Sequence, residues 1–152
     1  MNLTRSFLGA LFFIIIPFNA HASDGSPDVA SWTQQTMINT FSAQYLGKPE
    51  ELAKVRESFY PAAWDSLKIF FQDRLQEIRQ NGLVLHPYPI TAPTIVSDGK
   101  CARFRCWRIE QAFKIPELSV NVALSMLVVD GQDLSLPSPY IIQSINFTSQ
   151  PY

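Results

Sequence analysis

Apolar residues recur at helical spacing between Pro61 and Gly82, in the most regular stretch of the chain. They lie three or four residues apart, so they share one face of a helix with 3.6 residues per turn. A proline suits the first helical turn, and a glycine often follows the last one. The pattern predicts one long helix with an aromatic face formed by Trp64, Leu67, Phe70, Phe71, Leu75 and Ile78.

Two further helices are predicted upstream of this stretch. The first ends near Gly47, and its apolar face is spaced at steps of four, with Trp32 alongside Val29, Thr33, Met37, Phe41 and Tyr45. The second is short and begins at Pro49, because a proline and two acidic residues suit a first helical turn. Its apolar positions are Leu52, Val55 and Phe59.

After Leu83 the apolar positions change from helical spacing to alternation, which predicts strands. The clearest alternation runs from Val120 to Val128, and a turn is expected at Ser97–Lys100. Other strands are expected over residues 90–96, 102–113 and 140–148. Helices followed by strands favour an α+β class, with the helices packed on one face of an antiparallel sheet. A curved sheet around the aromatic helix would form the cone of an NTF2-like domain.

The first 22 residues have the features of a secretory signal peptide. Arg5 precedes an apolar run from Phe7 to Phe18, and Ala20-His21-Ala22 places small residues at the two positions that a signal peptidase reads. Cleavage is expected before Ser23, which leaves residues 23–152 as one periplasmic domain. The alternative is an uncleaved inner-membrane anchor, although the apolar run is short for a span of about 20 residues.

The formal charge of −1 indicates neither a nucleic-acid partner nor binding to an anionic membrane surface. Membrane association is expected only if the signal segment is retained.

The two cysteines, Cys101 and Cys106, lie five positions apart. In one straight strand they would be roughly 16 Å apart and on opposite faces, which is too far for a disulfide. They can pair if Ala102–Arg105 forms a hairpin loop, and export to an oxidising compartment favours pairing. Both arrangements remain open from the sequence.

Three arginines, Arg103, Arg105 and Arg108, lie beside Phe104 and Trp107 in the same predicted strand. They are candidates for a protein interface, since arginine and aromatic residues are enriched there. An anion-binding patch is a second interpretation. A solvated face whose charges discourage edge pairing is the third.

No catalytic, cofactor or metal site is predicted. His86 is the one histidine after the signal segment, and a single histidine makes a poor metal site. It could act as a general base only with an acidic partner that the sequence does not identify. Phosphate-binding loops, nucleophile elbows and zinc-protease motifs are absent from the sequence.

Several segments, in order, resemble the IcmL/DotI-like proteins of type IVB (Dot/Icm) secretion systems, which are related to the conjugation protein TraM. The similarity covers about residues 28–148. Its segments are Asp28-Val29-Ala30-Ser31-Trp32, Phe59-Tyr60-Pro61-Ala62-Ala63-Trp64, Thr91-Ala92-Pro93, Arg103-Phe104-Arg105-Cys106-Trp107-Arg108 and Val122 to Val129.

The resemblance implies a non-enzymatic periplasmic module that binds secretion-system proteins or associates with itself. The resemblance implies a cytoplasmic segment and a transmembrane helix before the domain, whereas a signal peptide is predicted at this position in the chain. The difference indicates a soluble accessory paralogue. The alternative is a periplasmic NTF2-like small-molecule binding protein or enzyme, which would hold its ligand in the cone. The residues that would line this cone are Tyr60, Trp64, His86 and Trp107.

Overall fold

The computed structural model describes residues 28–46 and 49–152, and for residues 44–46 it describes the backbone alone. The predicted signal peptide and its cleavage site lie outside these ranges. Four helices precede five strands in the described part. The helices are α1 Val29–Leu46, α2 Pro49–Arg56, α3 Pro61–Gln72 and α4 Leu75–Gln80. The strands are β1 Tyr88–Pro89, β2 Thr94–Cys101, β3 Phe104–Ile115, β4 Val120–Asp130 and β5 Tyr140–Pro151.

All strand pairs in the sheet are antiparallel. The strands β3, β4 and β5 are neighbours in that order, and β1 and β2 both pair with the outer side of β3. Alternate residues of β4 are buried from Val120 to Val128, as their spacing predicts. The α+β class, with N-terminal helices on an antiparallel sheet, is confirmed. The first strand begins at Tyr88, so Leu83–Leu85 forms no strand, although Leu85 is buried in the core.

The prediction of one continuous helix from Pro61 to Gly82 is wrong at Asp73-Arg74, where α3 ends and α4 begins. The backbone N–H of Arg74 donates to the carbonyl of Phe71 at 2.8 Å, a bond that tightens the helix into a turn. The Arg74 guanidinium donates to the carbonyl of Phe70 at 2.9 Å and to Ser149 Oγ of β5 at 3.3 Å. The side chain thus satisfies a carbonyl at the helix end.

The apolar face nevertheless stays buried on both sides of this break, since Ile78 is only 2% exposed. Aromatic rings from three elements meet in the core beneath it. The ring of Phe41 in α1 lies 5.8 Å from that of Phe71 in α3 and 5.7 Å from that of Phe113 in β3. Such edge-to-face contacts add to the free energy gained by burying the rings.

Helix α1 begins at a cap formed by Asp28, whose carboxylate accepts the backbone N–H of Ser31 at 3.1 Å. Helix α2 has no buried residue and ends at Arg56, three residues before Phe59. The predicted inclusion of Phe59 in the second helix is therefore wrong. The segment that contains Phe59 pairs with β5 instead, because the backbone N–H of Tyr60 donates to the carbonyl of Ile142 at 2.9 Å.

Candidate functional site

The β2–β3 hairpin contains both cysteines and all three candidate arginines. The predicted turn at Ser97–Lys100 is wrong, because these residues continue β2 and pair with Arg105–Arg108 of β3. The chain reverses instead at Ala102-Arg103, since Cys101 pairs with Phe104. Ala102 has a φ of 56°, in the left-handed region that a tight hairpin turn requires and that usually selects glycine. An Asp-Gly sequence indicates a turn only where strand pairing does not override it.

This reversal brings the two cysteines together. The Cα atoms of Cys101 and Cys106 lie 5.7 Å apart, and their sulfurs form a disulfide at 2.09 Å. The hairpin alternative for these cysteines is thus the arrangement that the structure adopts. Cys106 is buried on the sheet face opposite the main core, where it packs with Val129 and Ile141. The bond joins the two strands at the end of the hairpin.

Arg105 is the most highly connected of the three arginines. Its guanidinium donates to Asp98 Oδ2 at 3.2 Å and lies 4.9 Å from the centre of the Trp107 ring. Its backbone N–H donates to Asp133 Oδ2 at 3.3 Å. The hydrogen bond from Arg105 to Asp98, followed by the charge of that carboxylate, raises the pKa of Arg105 above its ordinary value.

The three arginines do not form one patch. Arg105 and Arg108 are three residues apart in β3 and therefore point to opposite faces of the sheet. Arg108 donates to Ser125 Oγ of β4 at 3.3 Å, whereas Arg103 lies in the turn, with its guanidinium 5.0 Å from the centre of the Phe104 ring. An anion that bound all three would have to span the sheet.

His86 has an acidic partner that the sequence did not identify. Its ring Nδ1 lies 2.8 Å from Glu117 Oε1, and its backbone N–H donates to Glu117 Oε2 at 3.1 Å. Burial alone would raise the pKa of Glu117, but the hydrogen bonds and the charge of His86 outweigh it, and the pKa is lowered. The His86 side chain is 74% exposed, so this pair lies at the surface and not in a cavity.

The four residues expected to line a ligand-binding cone do not surround a common cavity. Trp64 and Trp107 belong to the packed core, His86 is exposed, and Tyr60 packs beside the small cluster around Cys106. Trp107 meets Tyr140 edge to face at 5.5 Å. Aromatic rings thus occupy the space between the helices and the sheet that a ligand would need.

Two open grooves lie elsewhere on the surface. One, of about 490 Å³, runs between α1 and α2 and is lined by Trp32, Asn39 and Lys54 among others. The second, of about 520 Å³, lies on the sheet near Ala112 and Ala123. Among the residues that the structure describes, no three histidine, cysteine or acidic side chains are placed to hold a metal ion.

No helix within residues 28–46 and 49–152 is both long and apolar enough to span a membrane.

Comparison with known proteins gives matches to solved structures alone, since no family model and no curated protein matches the chain. The periplasmic domain of DotI superposes with a TM-score of 0.64 at 21% identity, over 86% of this chain and 100% of that domain. The chain has the fold of the DotI periplasmic domain. This DotI fold recurs in an IcmL-like type IV secretion system protein from Legionella pneumophila, with a TM-score of 0.57 at 15% identity, over 84% of this chain and 97% of that one.

A periplasmic fragment of TraM also has this fold, with a TM-score of 0.64 at 11% identity, over 80% of this chain and 94% of the fragment. The resemblance stated from the sequence segments is therefore confirmed for the fold. The three structures share the DotI fold with this chain although fewer than a quarter of the residues are identical. The DotI and TraM structures are described as periplasmic, and the IcmL-like protein is described as a type IV secretion system protein.

Proposed function

We propose that this chain is a periplasmic assembly module of a type IV secretion system, related to the IcmL/DotI subunits. One observation carries the proposal: the whole of the DotI periplasmic domain has a counterpart in this chain. A likeness that covers the DotI domain completely, and nearly all of an IcmL-like type IV secretion system protein and of a periplasmic TraM fragment, favours a shared role. Function depends on surfaces as well as on the fold, so the contacts themselves require a test.

The module acts through protein contacts and not through catalysis. The packing of the interior supports this part of the proposal, because the rings of Phe41, Phe71 and Phe113 fill the space in which NTF2-like enzymes would hold a substrate. A general base acts on a substrate that the protein holds beside it, whereas His86 lies exposed at the surface. This position also supports a role without catalysis.

The chain is exported by residues 1–22 and acts as a soluble accessory protein after cleavage before Ser23. The Cys101–Cys106 disulfide supports the periplasmic location, because such bonds persist in oxidising compartments. The periplasmic location of the DotI and TraM domains supports it independently. An uncleaved anchor in the inner membrane is the competing arrangement.

The experiment is crosslinking in the native cells, followed by affinity purification of the full chain with a C-terminal tag and mass spectrometry. We expect secretion-system subunits to be recovered with a chain that begins at Ser23. An Ala22→Phe variant, which blocks the cleavage site, serves as the control for the mature N-terminus and should remain longer. Recovery of an unprocessed wild-type chain would contradict the soluble form. Absence of all secretion subunits would contradict the assembly role and would direct attention to the α1–α2 groove.

A further inference from the structure

Strand β2 forms an edge of the sheet. It pairs with β3 on one side, and no other strand of the described residues pairs with it. Seven of its eight residues are exposed. Four exposed apolar side chains lie at or beside this edge: Tyr88, Ile90, Ile95 and Val96. An edge with unpaired backbone groups and exposed apolar side chains is a template for a strand from another chain.

The regular part of this edge is short. A bulge interrupts the pairing between Ile95 and Ser97, and the hairpin turn begins at Ala102. A bulge twists an edge strand and limits further pairing. A partner strand therefore has the five residues Ser97–Cys101 as its regular template.

The charges of this segment distinguish one register of self-pairing from the others. In an edge strand, the backbone N–H and C=O groups of every second residue point away from the sheet. Two antiparallel copies of the strand can therefore pair only in registers in which one residue lies opposite its own copy, on the two-fold axis. An axis at Asp98 or at Lys100 places like charges opposite each other, which is destabilising. An axis at Ser97 would place the bulge between Ile95 and Ser97 inside the new pair of strands, where it would disrupt the hydrogen bonds. An axis at Gly99 places Asp98 of each copy opposite Lys100 of the other copy.

Gly99 suits the central position of such a pair. A Cβ atom added there would meet nothing within 4 Å in its own chain, and glycine within a strand often marks the close approach of another backbone. Asp98 is already oriented by its hydrogen bond from Arg105. Its carboxylate is thus fixed on the face of β2 that also carries Lys100, two residues further along.

We propose that β2 is a self-association edge, at which two copies of this chain pair antiparallel over Ser97–Cys101 with Gly99 on the two-fold axis. The biological use of this edge rests on the proposed assembly function, and the inference deepens that function by naming a surface. A five-residue ladder is small beside a standard interface of about 1,600 Å². The pair is therefore weak and forms at raised protein concentration.

The test reverses the charge at Asp98 in one variant and at Lys100 in another. The full chain is used, in the form in which it accumulates in the cells. In Asp98→Lys, two lysines face two lysines across the axis, and in Lys100→Asp two aspartates face two aspartates. We expect each variant alone to self-associate at least about tenfold more weakly than the wild type in sedimentation equilibrium. Mixing the two variants restores both opposite-charge pairs, so differently tagged copies should co-purify as heterodimers.

Lys54→Asp is the matched control for Lys100→Asp, because both variants replace an exposed lysine with aspartate, and the change in α2 should leave self-association unchanged. Circular dichroism establishes that each variant is folded. Asp98→Lys also removes the bond to Arg105, and if it does not fold, Lys100→Asp against Lys54→Asp still decides the question. A wild-type chain that stays monomeric at all concentrations overturns the inference, as do variants that self-associate normally. Neither result contradicts the assembly function, which the recovery of secretion subunits tests separately.

Discussion

The backbone N–H and the ring Nδ1 of His86 both face the carboxylate of Glu117, at 3.1 Å and 2.8 Å. The two residues are 31 positions apart in the chain. Their contact joins the segment between α4 and β1 to the short 3₁₀ turn Pro116–Leu118, which follows β3. A single carboxylate thus anchors a segment that contributes the buried side chain of Leu85 to the core.

The loss of protein stability on acidification should therefore depend in part on Glu117. Folding lowers the pKa of this group, so its contribution is complete above the ordinary value of 4.5 and is lost as the pH falls through the folded value. Glu117→Gln should lose about 1 kcal/mol at pH 7, because a charge-assisted hydrogen bond is weakened. In thermal unfolding between pH 3 and 7, the melting temperature of this variant should fall less steeply with decreasing pH than that of the wild type. An equal flattening in Glu110→Gln, at an exposed position of β3, would contradict the assignment.

The aromatic face of α3 should be the largest contributor to stability among the helices. Trp64 is 8% exposed, and its ring lies 5.7 Å from that of Phe59. Trp64→Ala should lower the free energy of unfolding by roughly 3–5 kcal/mol, because a core aromatic leaves a cavity. Ile69→Ala is the control on the same helix, at a residue that is 65% exposed, and should change it by less than about 1 kcal/mol. Chemical denaturation measures both, and a loss below 1 kcal/mol for Trp64→Ala would refute the packing.

The helical spacing of Trp64, Leu67 and Phe71 predicts the buried face because periodicity depends on neighbours along the chain. The same pattern cannot locate the break at Asp73-Arg74. At that break Arg74 contacts Ser149 in β5, a partner that only the folded sheet provides. Such details depend on contacts between residues far apart in the chain, and the spacing of residues along one sequence does not identify these contacts.

The hairpin illustrates the same limit. The sequence Ser97-Asp98-Gly99-Lys100 has the composition of a turn, yet pairing with β3 keeps it extended. The turn falls at Ala102, a residue whose side chain gives no turn signal. The cysteine geometry followed from the position of this turn, so the sequence left it open. The partnership of His86 with Glu117 likewise has no local signal.

Ala102→Gly should stabilise the protein by about 1 kcal/mol. Ala102 holds a φ of 56°, which costs an L-residue with a side chain roughly 1–2 kcal/mol, and glycine adopts it freely. Part of this gain is offset because glycine has more freedom in the unfolded chain. Arg103→Gly, in the same turn but at a residue without positive φ, should give no gain. Chemical denaturation of both variants tests the strain, and equal effects would contradict it.

The Cys101–Cys106 disulfide should contribute about 2 kcal/mol, because it closes a short loop and restricts the unfolded chain. The double variant Cys101→Ala/Cys106→Ala tests this contribution. Alanine is chosen because position 106 is buried and a polar side chain there would lack a partner. We expect a lower unfolding free energy than in the oxidised wild type. Reduction of the wild type should produce a similar loss and should leave the double variant unchanged. Free thiols in the protein isolated from cells under non-reducing conditions would show that the bond does not form there. A double variant as stable as the oxidised wild type would show that the bond does not stabilise the hairpin.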